Sequence, residues 1–153
     1  MAVRLQREDF DVAVETRRLT AGREDVGAVV TFTGICRAGP PGERIAAMTL
    51  EHYPQMAQEE LERIEAQARE RWPLQDSLIV HRHGRLTPGE NIVLVVTLSA
   101  HRQAAFAAAE FLMDYLKSRA PFWKKEERAQ GEAWVAVKAE DEEALGRWGD
   151  EKG

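Results

Sequence analysis

The stretch from Ser99 to Glu126 constrains the fold of this chain more than any other part of the sequence. Nearly every residue from Ala104 to Leu116 is apolar, which predicts a helix buried on most of its circumference. Ser99 is a candidate N-cap, because its hydroxyl can accept a hydrogen bond from a free backbone N–H of the first turn. Pro121 ends the helix, since proline lacks an N–H and disfavours helical geometry in the residue before it. The sequence therefore predicts one long, mostly buried helix that is followed at once by a turn.

A narrow polar stripe remains on this helix and covers about a third of the helical wheel. The stripe comprises Arg102, Glu110, Asp114 and Lys117. The predicted turn after the helix presents Phe122, Trp123, Lys124 and Lys125. With His101 and Arg102 at the start of the helix and Lys117 at its end, the stretch predicts a cationic pocket with flat apolar walls. Such a pocket suits a planar, anionic ligand.

The composition is typical of one folded domain with a single core. The chain has 153 residues, 44% of them hydrophobic, and a formal net charge of −5, so nucleic acid is not the expected partner. No apolar stretch approaches the ~20 residues that span a membrane, and the N-terminal residues hold no apolar run of signal-peptide length. Cys36 is the only cysteine, which excludes an internal disulfide and indicates a reducing compartment such as the cytoplasm.

The elements are predicted in the order strand, strand, helix, strand, strand, helix, strand. One apolar face at helical spacing predicts a helix that opens at Pro54 and ends at Pro73, in addition to the helix from His101. The predicted strands are Gly27 to Thr33, Ile45 to Tyr53, Leu78 to His83, Asn91 to Ser99 and Ala133 to Lys138. A short helix from Asp141 to Trp148 and a frayed tail from Gly149 to Gly153 follow. Two main helices packed on a mostly antiparallel sheet define an α+β two-layer sandwich, with residues 1–153 as a single domain.

Lys117 and Lys124 are the candidates for catalysis. An exposed lysine is protonated at neutral pH and acts only as a point charge. Crowding by other cations and partial burial favour the neutral amine, which is a base or a nucleophile. The alternative for Lys117 is a surface ion pair with Asp114, one turn earlier on the helix.

His101 and Arg102 form a candidate anion site, because they lie where backbone N–H groups at a helix start are free. The alternative is a helix cap beside a solvated surface arginine. Arg37, in a glycine-rich loop, can approach a ligand phosphate or be merely solvated. We expect His101, Arg102 and Arg37 to converge on one anion, whose binding weakens with salt.

Neither the cysteine nor the histidines form an evident catalytic or metal-binding set in the sequence. Cys36 has no partner cysteine and no obvious base, so we interpret it as incidental. His81 and His83 stand two residues apart on a predicted strand, a spacing that some zinc sites use. The other two histidines, His52 and His101, lie in different segments. No third ligand is evident, so we interpret these residues as core and surface histidines and assign no metal to this chain.

Four motifs of the sequence occur together, in the same order and spacing, in one known family. They are V-V-T-F-T-G at Val29 to Gly34, L-E-H-Y-P at Leu50 to Pro54, S-A-H-R at Ser99 to Arg102, and M-D-Y-L-K-S-R-A-P-F-W-K at Met113 to Lys124. With these motifs the chain closely resembles the large, catalytic subunit of molybdopterin synthase. The similarity runs from Gly27 to Trp148, whereas residues 1–26 and the loop Ala38 to Arg44 match poorly.

The resemblance implies a sulfurtransferase of molybdenum cofactor biosynthesis, which converts cyclic pyranopterin monophosphate into molybdopterin by adding two dithiolene sulfurs. The sulfur is donated by a thiocarboxylate on the C-terminal glycine of a small ubiquitin-like carrier subunit, whose tail enters a pocket on the large subunit. The resemblance further implies a homodimer of the large subunit within a heterotetramer. It implies no cofactor and no metal in this chain.

The functional positions of that family fall on nine residues here. They are Ile35, Cys36, Arg37, His101, Arg102, Lys117, Lys124, Lys125 and Glu126. By the resemblance, Lys117 is the main catalytic lysine, and Lys124 assists it and binds anionic oxygen. The other basic residues hold phosphate and pterin, some of them across the dimer interface. Cys36 is given no chemistry, because the sulfur comes from the partner.

Two other classes of function stay open on the sequence alone. The chain can be a non-catalytic docking module for a ubiquitin-like partner, or a plain phosphate-ligand binding protein. Retention of both candidate lysines together with His101 and Arg102 favours the enzyme.

Overall fold

The computed structural model describes residues 2–119, 121–128, 131–135 and 144–148 of the chain. Its elements are β1 (Ala2–Gln6), α1 (Val12–Thr20), β2 (Ala28–Ile35), β3 (Ile45–His52), α2 (Pro54–Arg71), β4 (Leu74–Arg82), β5 (Gly84–Leu86), β6 (Asn91–Ser99), α3 (Arg102–Ser118), β7 (Phe122–Arg128) and β8 (Gly131–Trp134). Residues 144–146 add a short helical turn. None of the helices in the described part is both long and apolar enough to cross a membrane.

The strands form two four-stranded sheets. The first sheet has the order β1-β4-β6-β2, in which β1 is parallel to β4 and the other neighbours are antiparallel. The second sheet has the order β5-β3-β7-β8 and is antiparallel throughout. The predicted α+β class, with two main helices and mostly antiparallel strands, is confirmed. The difference is that the strands divide between two sheets instead of one.

The first sheet is covered on both faces. Helices α2 and α3 pack on one face, where Ile79 and Val95 of the strands meet Phe111 of α3. Helix α1 packs on the other face, which consists of Leu78, Val80, Leu94, Val96 and Leu98. Because side chains alternate along a strand, a strand buried on both faces must be apolar at nearly every position. This requirement explains the continuous apolar run of β6.

The second sheet has a smaller core of its own. This core consists of Cys36, Ile45, Met48, Leu50 and Leu86. Ile92 of β6 packs against it and so joins the first sheet to the second. On β7, Lys124 stands opposite Leu50, and Phe122 stands opposite His52. The face of the second sheet that meets the first therefore carries a lysine among apolar and aromatic side chains.

Two N-terminal elements add to the predicted set. Strand β1 pairs in parallel with β4, a long-range contact that no local pattern of five residues reveals. Helix α1 is capped at its N-terminus by Asp11, whose carboxylate accepts a hydrogen bond from the Val14 N–H at 3.0 Å. Ser99 is not the N-cap of α3, because it ends β6, where its hydroxyl donates to the Pro73 carbonyl at 2.9 Å and accepts from the His101 N–H at 3.4 Å. His101 holds the cap position without a side-chain cap bond.

The segment after α3 is strand β7, where the sequence predicted a turn. Helix α3 does end at Ser118, shortly before Pro121, but extended chain follows from Phe122. Since side chains alternate along a strand, Phe122 and Lys124 lie on one face, and the residues that follow each of them lie on the other. The predicted wall of two aromatics and two lysines is thus divided between opposite faces of the sheet.

The predicted last strand, Ala133 to Lys138, overlaps β8, which ends at Trp134. Residues 136–143 and 149–153 lie outside the described residues. These residues include the remainder of that predicted strand, the first part of the predicted terminal helix and the predicted frayed tail. Residues 144–146 are helical, as predicted.

Candidate active site

A cavity of about 530 Å³ lies between the C-terminal end of α3, the end of β2 and the second sheet. Its apolar walls are formed mainly by Phe32, Ile35, Met48, Leu50, Ile92, Met113 and Phe122. Lys117, Lys124, Asp114 and His81 are among its polar lining residues. A concave, mostly apolar site with a few polar groups is the usual form of a small-molecule site.

Lys117 lies in the last turn of α3, exposed at the edge of the cavity. Asp114, one turn earlier, accepts hydrogen bonds from Arg147 at 2.9 Å and from the indole N–H of Trp148. Among the ion pairs of the described residues, Asp114 is paired with Arg147 and not with Lys117. Lys117 makes no ion pair with any residue that the structure describes, so its ammonium is available to an anion in the cavity.

Lys124 reaches the same cavity from β7, where it is half-buried. Its charge also acts on the thiol of Cys36. Burial raises the pKa of Cys36, and the positive charge of Lys124 opposes that rise only in part. Cys36 is therefore a protonated thiol in the core of the second sheet.

The end of β2 supplies one wall of the cavity. Ile35, the last residue of this strand, lines the cavity, and Arg37 follows in an exposed loop. Phe32 of the same strand also contributes to the wall, although it was not among the predicted site residues. The sequence signal for Phe32 was the family motif at Val29 to Gly34, in which it is the aromatic residue.

Lys125 and Glu126 make contacts outside the cavity. Lys125 lies on the outer face of the second sheet, with its ammonium 3.4 Å from Glu132 and 5.5 Å from the ring centroid of Trp134. Glu126 shares the inner face with Lys124 but forms an ion pair with Arg128. Neither side chain lines the cavity as the structure describes it.

His101 and Arg102 lie at the opposite end of α3 from Lys117. The separation along the helix axis is roughly 22 Å, at about 1.5 Å per residue. Both side chains are exposed. Arg37 follows the end of β2 that pairs with Asn91, whereas α3 starts beside the other end of that strand. The expected convergence of Arg37 with His101 and Arg102 therefore does not occur within one chain.

His81 lines the cavity, although the sequence predicted no functional role for it. Its ring is buried and stacks on Phe122, with centroids 4.0 Å apart and planes 14° from parallel. Its Nδ1–H donates to the Arg82 carbonyl at 2.8 Å, and burial lowers the pKa of the imidazole to about 4. His81 is thus a neutral ring at neutral pH.

The histidine side chains do not form a metal site in the described part of the chain. The ring of His83 contacts His52, at 4.5 Å between centroids, while His81 contacts Phe122. The residues that the structure describes include no group of three or more His, Cys, Asp or Glu side chains placed to bind a metal ion.

Comparison with known proteins identifies the family. The model of the MoaE protein family matches residues 5–119, and so includes residues 5–26, which the four motifs leave out. The molybdopterin synthase catalytic subunit of Mesorhizobium japonicum is 62% identical over 148 residues, covering 95% of this chain and 92% of that protein. A solved MoaE protein of molybdopterin biosynthesis from Burkholderia ambifaria has a TM-score of 0.83 and 49% identity, covering 99% of this chain and 100% of that one. The chain belongs to the MoaE family, as its sequence motifs indicated.

A more distant structure shares the fold alone. It is a complex of subunits 1 and 2 of the molybdopterin-converting factor from Helicobacter pylori. The matched chain has a TM-score of 0.72 at 18% identity, covering 89% of this chain and 91% of that one.

Proposed function

We propose that this chain is the catalytic subunit of a molybdopterin synthase, which converts cyclic pyranopterin monophosphate into molybdopterin by inserting two sulfur atoms. The observation that carries the proposal is the meeting of Lys117 and Lys124, from two different elements, in one apolar cavity. Membership in the MoaE family and the printed names of its curated members support it.

The sulfur donor in this proposal is a small ubiquitin-like carrier that ends in a thiocarboxylate. The only cysteine of the chain, Cys36, is buried and protonated, which makes it unsuited to donate sulfur. A sulfur donor from outside the chain is consistent with this. An apolar cavity with two ammonium groups suits an extended glycine tail that ends in an anion. The two-subunit complex from Helicobacter pylori supports a partner of this kind. A reduced free thiol is also consistent with a reaction in the cytoplasm.

Lys117 is the main catalytic residue of the proposed reaction. Its ammonium can stabilise the negative charge that develops during sulfur transfer, or move a proton. Lys124 binds anionic oxygen of the carrier or the pterin in the same cavity. Apolar walls exclude water, and this exclusion strengthens both charged interactions.

The phosphate of the pterin is held by cations of two subunits. His101 and Arg102 are too far along α3 to reach the cavity of their own chain, so they complete the cavity of a second copy. Strand β2 is an edge strand of the first sheet and exposes Val29, Phe32 and Ile35. Exposed apolar side chains on an open edge are suited to cover by another copy. The proposed assembly is a homodimer with one carrier at each end, a heterotetramer.

A reconstituted assay tests the proposed function. The chain is mixed with thiocarboxylated carrier and cyclic pyranopterin monophosphate, and molybdopterin formation is measured. We expect product with this mixture and none when the carrier ends in an ordinary carboxylate. Pterin binding without product would identify a phosphate-ligand binding protein, and carrier binding without product would identify a docking module. Either result contradicts the proposal.

A further inference from the structure

The two cavity lysines belong to different halves of the molecule. Lys117 is carried by α3, which packs on the first sheet, whereas Lys124 is carried by β7 of the second sheet. Their separation therefore depends on how the two sheets are held against each other. A misplacement of about 1 Å in a catalytic group can lower a rate by on the order of a hundredfold.

Side chains hold the two sheets together beside the cavity. Ile92 of β6 packs into the core of the second sheet. His81 of β4 stacks on Phe122 of β7, with 4.0 Å between ring centroids and 14° between planes. Within the described residues, this is the aromatic pair that joins a strand of the first sheet to a strand of the second. All three side chains also line the cavity.

The position of Phe122 affects the position of Lys124. The two residues are separated by one position on β7, so they share a face and a short, stiff piece of strand. On the side of β3, the ring of His52 lies 5.5 Å from that of Phe122. Phe122, the first residue of β7, is thus held between a ring of each sheet.

His81 is itself fixed in place. Its strand β4 is paired on both sides, with β1 and with β6. The hydrogen bond from its Nδ1–H to the Arg82 carbonyl, at 2.8 Å, fixes the rotation of the ring. Because burial keeps the imidazole neutral at neutral pH, the ring adds no third positive charge to a cavity that already holds two lysines.

We propose that His81 is a positioning residue for the sulfur transfer, acting through its stack on Phe122 to set the separation of Lys117 and Lys124. This inference rests on the proposed function. In it, His81 takes no part in the reaction as a reacting group, and its effect is on the chemical step through the placement of Lys124.

Variants at this position separate the stack from general packing. His81→Phe keeps an aromatic ring on Phe122, and His81→Leu replaces the ring by an aliphatic side chain. We expect His81→Leu to lower kcat by roughly ten- to a hundredfold, with the carrier Kd, measured by calorimetry, unchanged. We expect His81→Phe to keep kcat within about threefold of the wild type. The matched control is His83→Ala, which removes a neighbouring imidazole that does not touch Phe122.

A double-mutant cycle tests whether His81 acts through Lys124. In single-turnover assays, His81→Leu should add little further loss in a Lys124→Ala background, because the group that it positions is already gone. A general packing defect would instead multiply the two losses, and that result would overturn the inference. Equal kcat values for His81→Phe and His81→Leu would overturn it as well.

Two further outcomes keep the inference distinct from the proposed function. If His81→Leu does not fold, Phe122→Leu removes the same stack from the other side, and full kcat in that variant would overturn the inference. If the wild-type chain makes no molybdopterin, the proposed function fails. If the wild type is active and a folded His81→Leu chain matches it, only the positioning role fails.

Discussion

Lys117 has no carboxylate partner among the described residues, and Asp114, one turn earlier on α3, binds Arg147 and Trp148. The C-terminal segment thereby changes the charge balance at the cavity without lining it. A carboxylate one turn away on a helix face is a common partner for a lysine, but other donors can compete for it. Here the competing donors are a guanidinium and an indole N–H. The chemistry at the end of α3 thus depends on residues about 30 positions later in the sequence, outside any helical spacing rule.

Substitution of Lys117 should remove catalysis and leave the fold intact. We expect Lys117→Ala to lower product formation by at least about a hundredfold, with an unchanged thermal unfolding midpoint, because an exposed lysine contributes little to the core. Lys117→Arg should also fail if the residue moves a proton, since arginine stays charged. The control is Arg18→Ala, which removes an exposed cation on α1. Near-normal turnover of Lys117→Arg would leave only a charge role for this residue.

His81 makes stability depend on pH. Its pKa is about 4 in the folded chain, below the ordinary value of 6.5, so the unfolded chain binds the proton first as the pH falls. The contribution of neutral His81 to the free energy of unfolding is therefore fully present above pH 6.5 and is lost as the pH falls towards about 4. The loss over this window is roughly 3 kcal/mol. Urea unfolding of the wild type at several pH values measures it.

The matched variant for this measurement is His81→Phe. It should lose that part of the pH dependence and keep the part due to His52 and His83, whose pKa values are lowered mainly by burial too. The raised pKa of the buried Glu65 acts in the opposite direction but cancels in the comparison. Identical pH dependence of the two chains would show that His81 titrates normally in the fold.

At the scale of elements, the alternation of β7 separates two adjacent lysines. Lys124 lies on the inner face that lines the cavity, while Lys125 lies on the outer face near Glu132 and Trp134. A turn would have left both side chains near the ligand. Pairing of β7 with β3 and β8 fixes which of them enters the cavity.

This alternation gives a prediction with its own control. Lys124→Ala should lower kcat by on the order of a hundredfold, whereas Lys125→Ala should change it less than about threefold. The two variants remove the same charge from adjacent positions, so net charge cannot account for a difference between them. Steady-state kinetics with saturating carrier measures both. A comparable loss in Lys125→Ala would mean that the outer face of the second sheet takes part in the reaction.

At the scale of the whole molecule, the proposed site needs two copies of the chain. His101 and Arg102 lie roughly 22 Å from Lys117 along α3, which is too far for one ligand of pterin size to bridge. We therefore expect a dimer of the isolated chain and a heterotetramer with the carrier, measured by light scattering. A monomer at micromolar concentration would contradict this assembly.

Mixed dimers test the sharing of residues directly. Lys117→Ala and Arg102→Ala chains, each of low activity alone, are unfolded together and refolded to exchange subunits. If each cavity takes Lys117 from one copy and Arg102 from the other, half of the dimers carry one intact site, and about a quarter of wild-type activity returns. Refolding each variant by itself is the control. No recovery in the mixture would place both residues in the same subunit's site.

Local patterns were sufficient for much of this protein. The apolar run of β6 and the amphipathic face of α2 each follow from spacing and burial, and the structure confirms them. Helix α3 is present as predicted, but it buries one face and exposes Phe106. The family motifs likewise identified the MoaE family from the sequence. These features depend on residues that are close together in the chain, which is why sequence alone determined them.

Tertiary structure decided the features that depend on long-range contacts. The pairing of β7 with β3 turned a predicted turn into a strand and moved Trp123 and Lys125 out of the cavity. The division of the strands into two sheets placed His81 against Phe122. It also made the distance between Lys117 and Lys124 depend on how the two sheets pack against each other. The length of α3 separates His101 and Arg102 from Lys117, although the sequence predicts one pocket for all three. Helix and strand periods specify which residues share a face, but only the packing of distant segments specifies what that face meets.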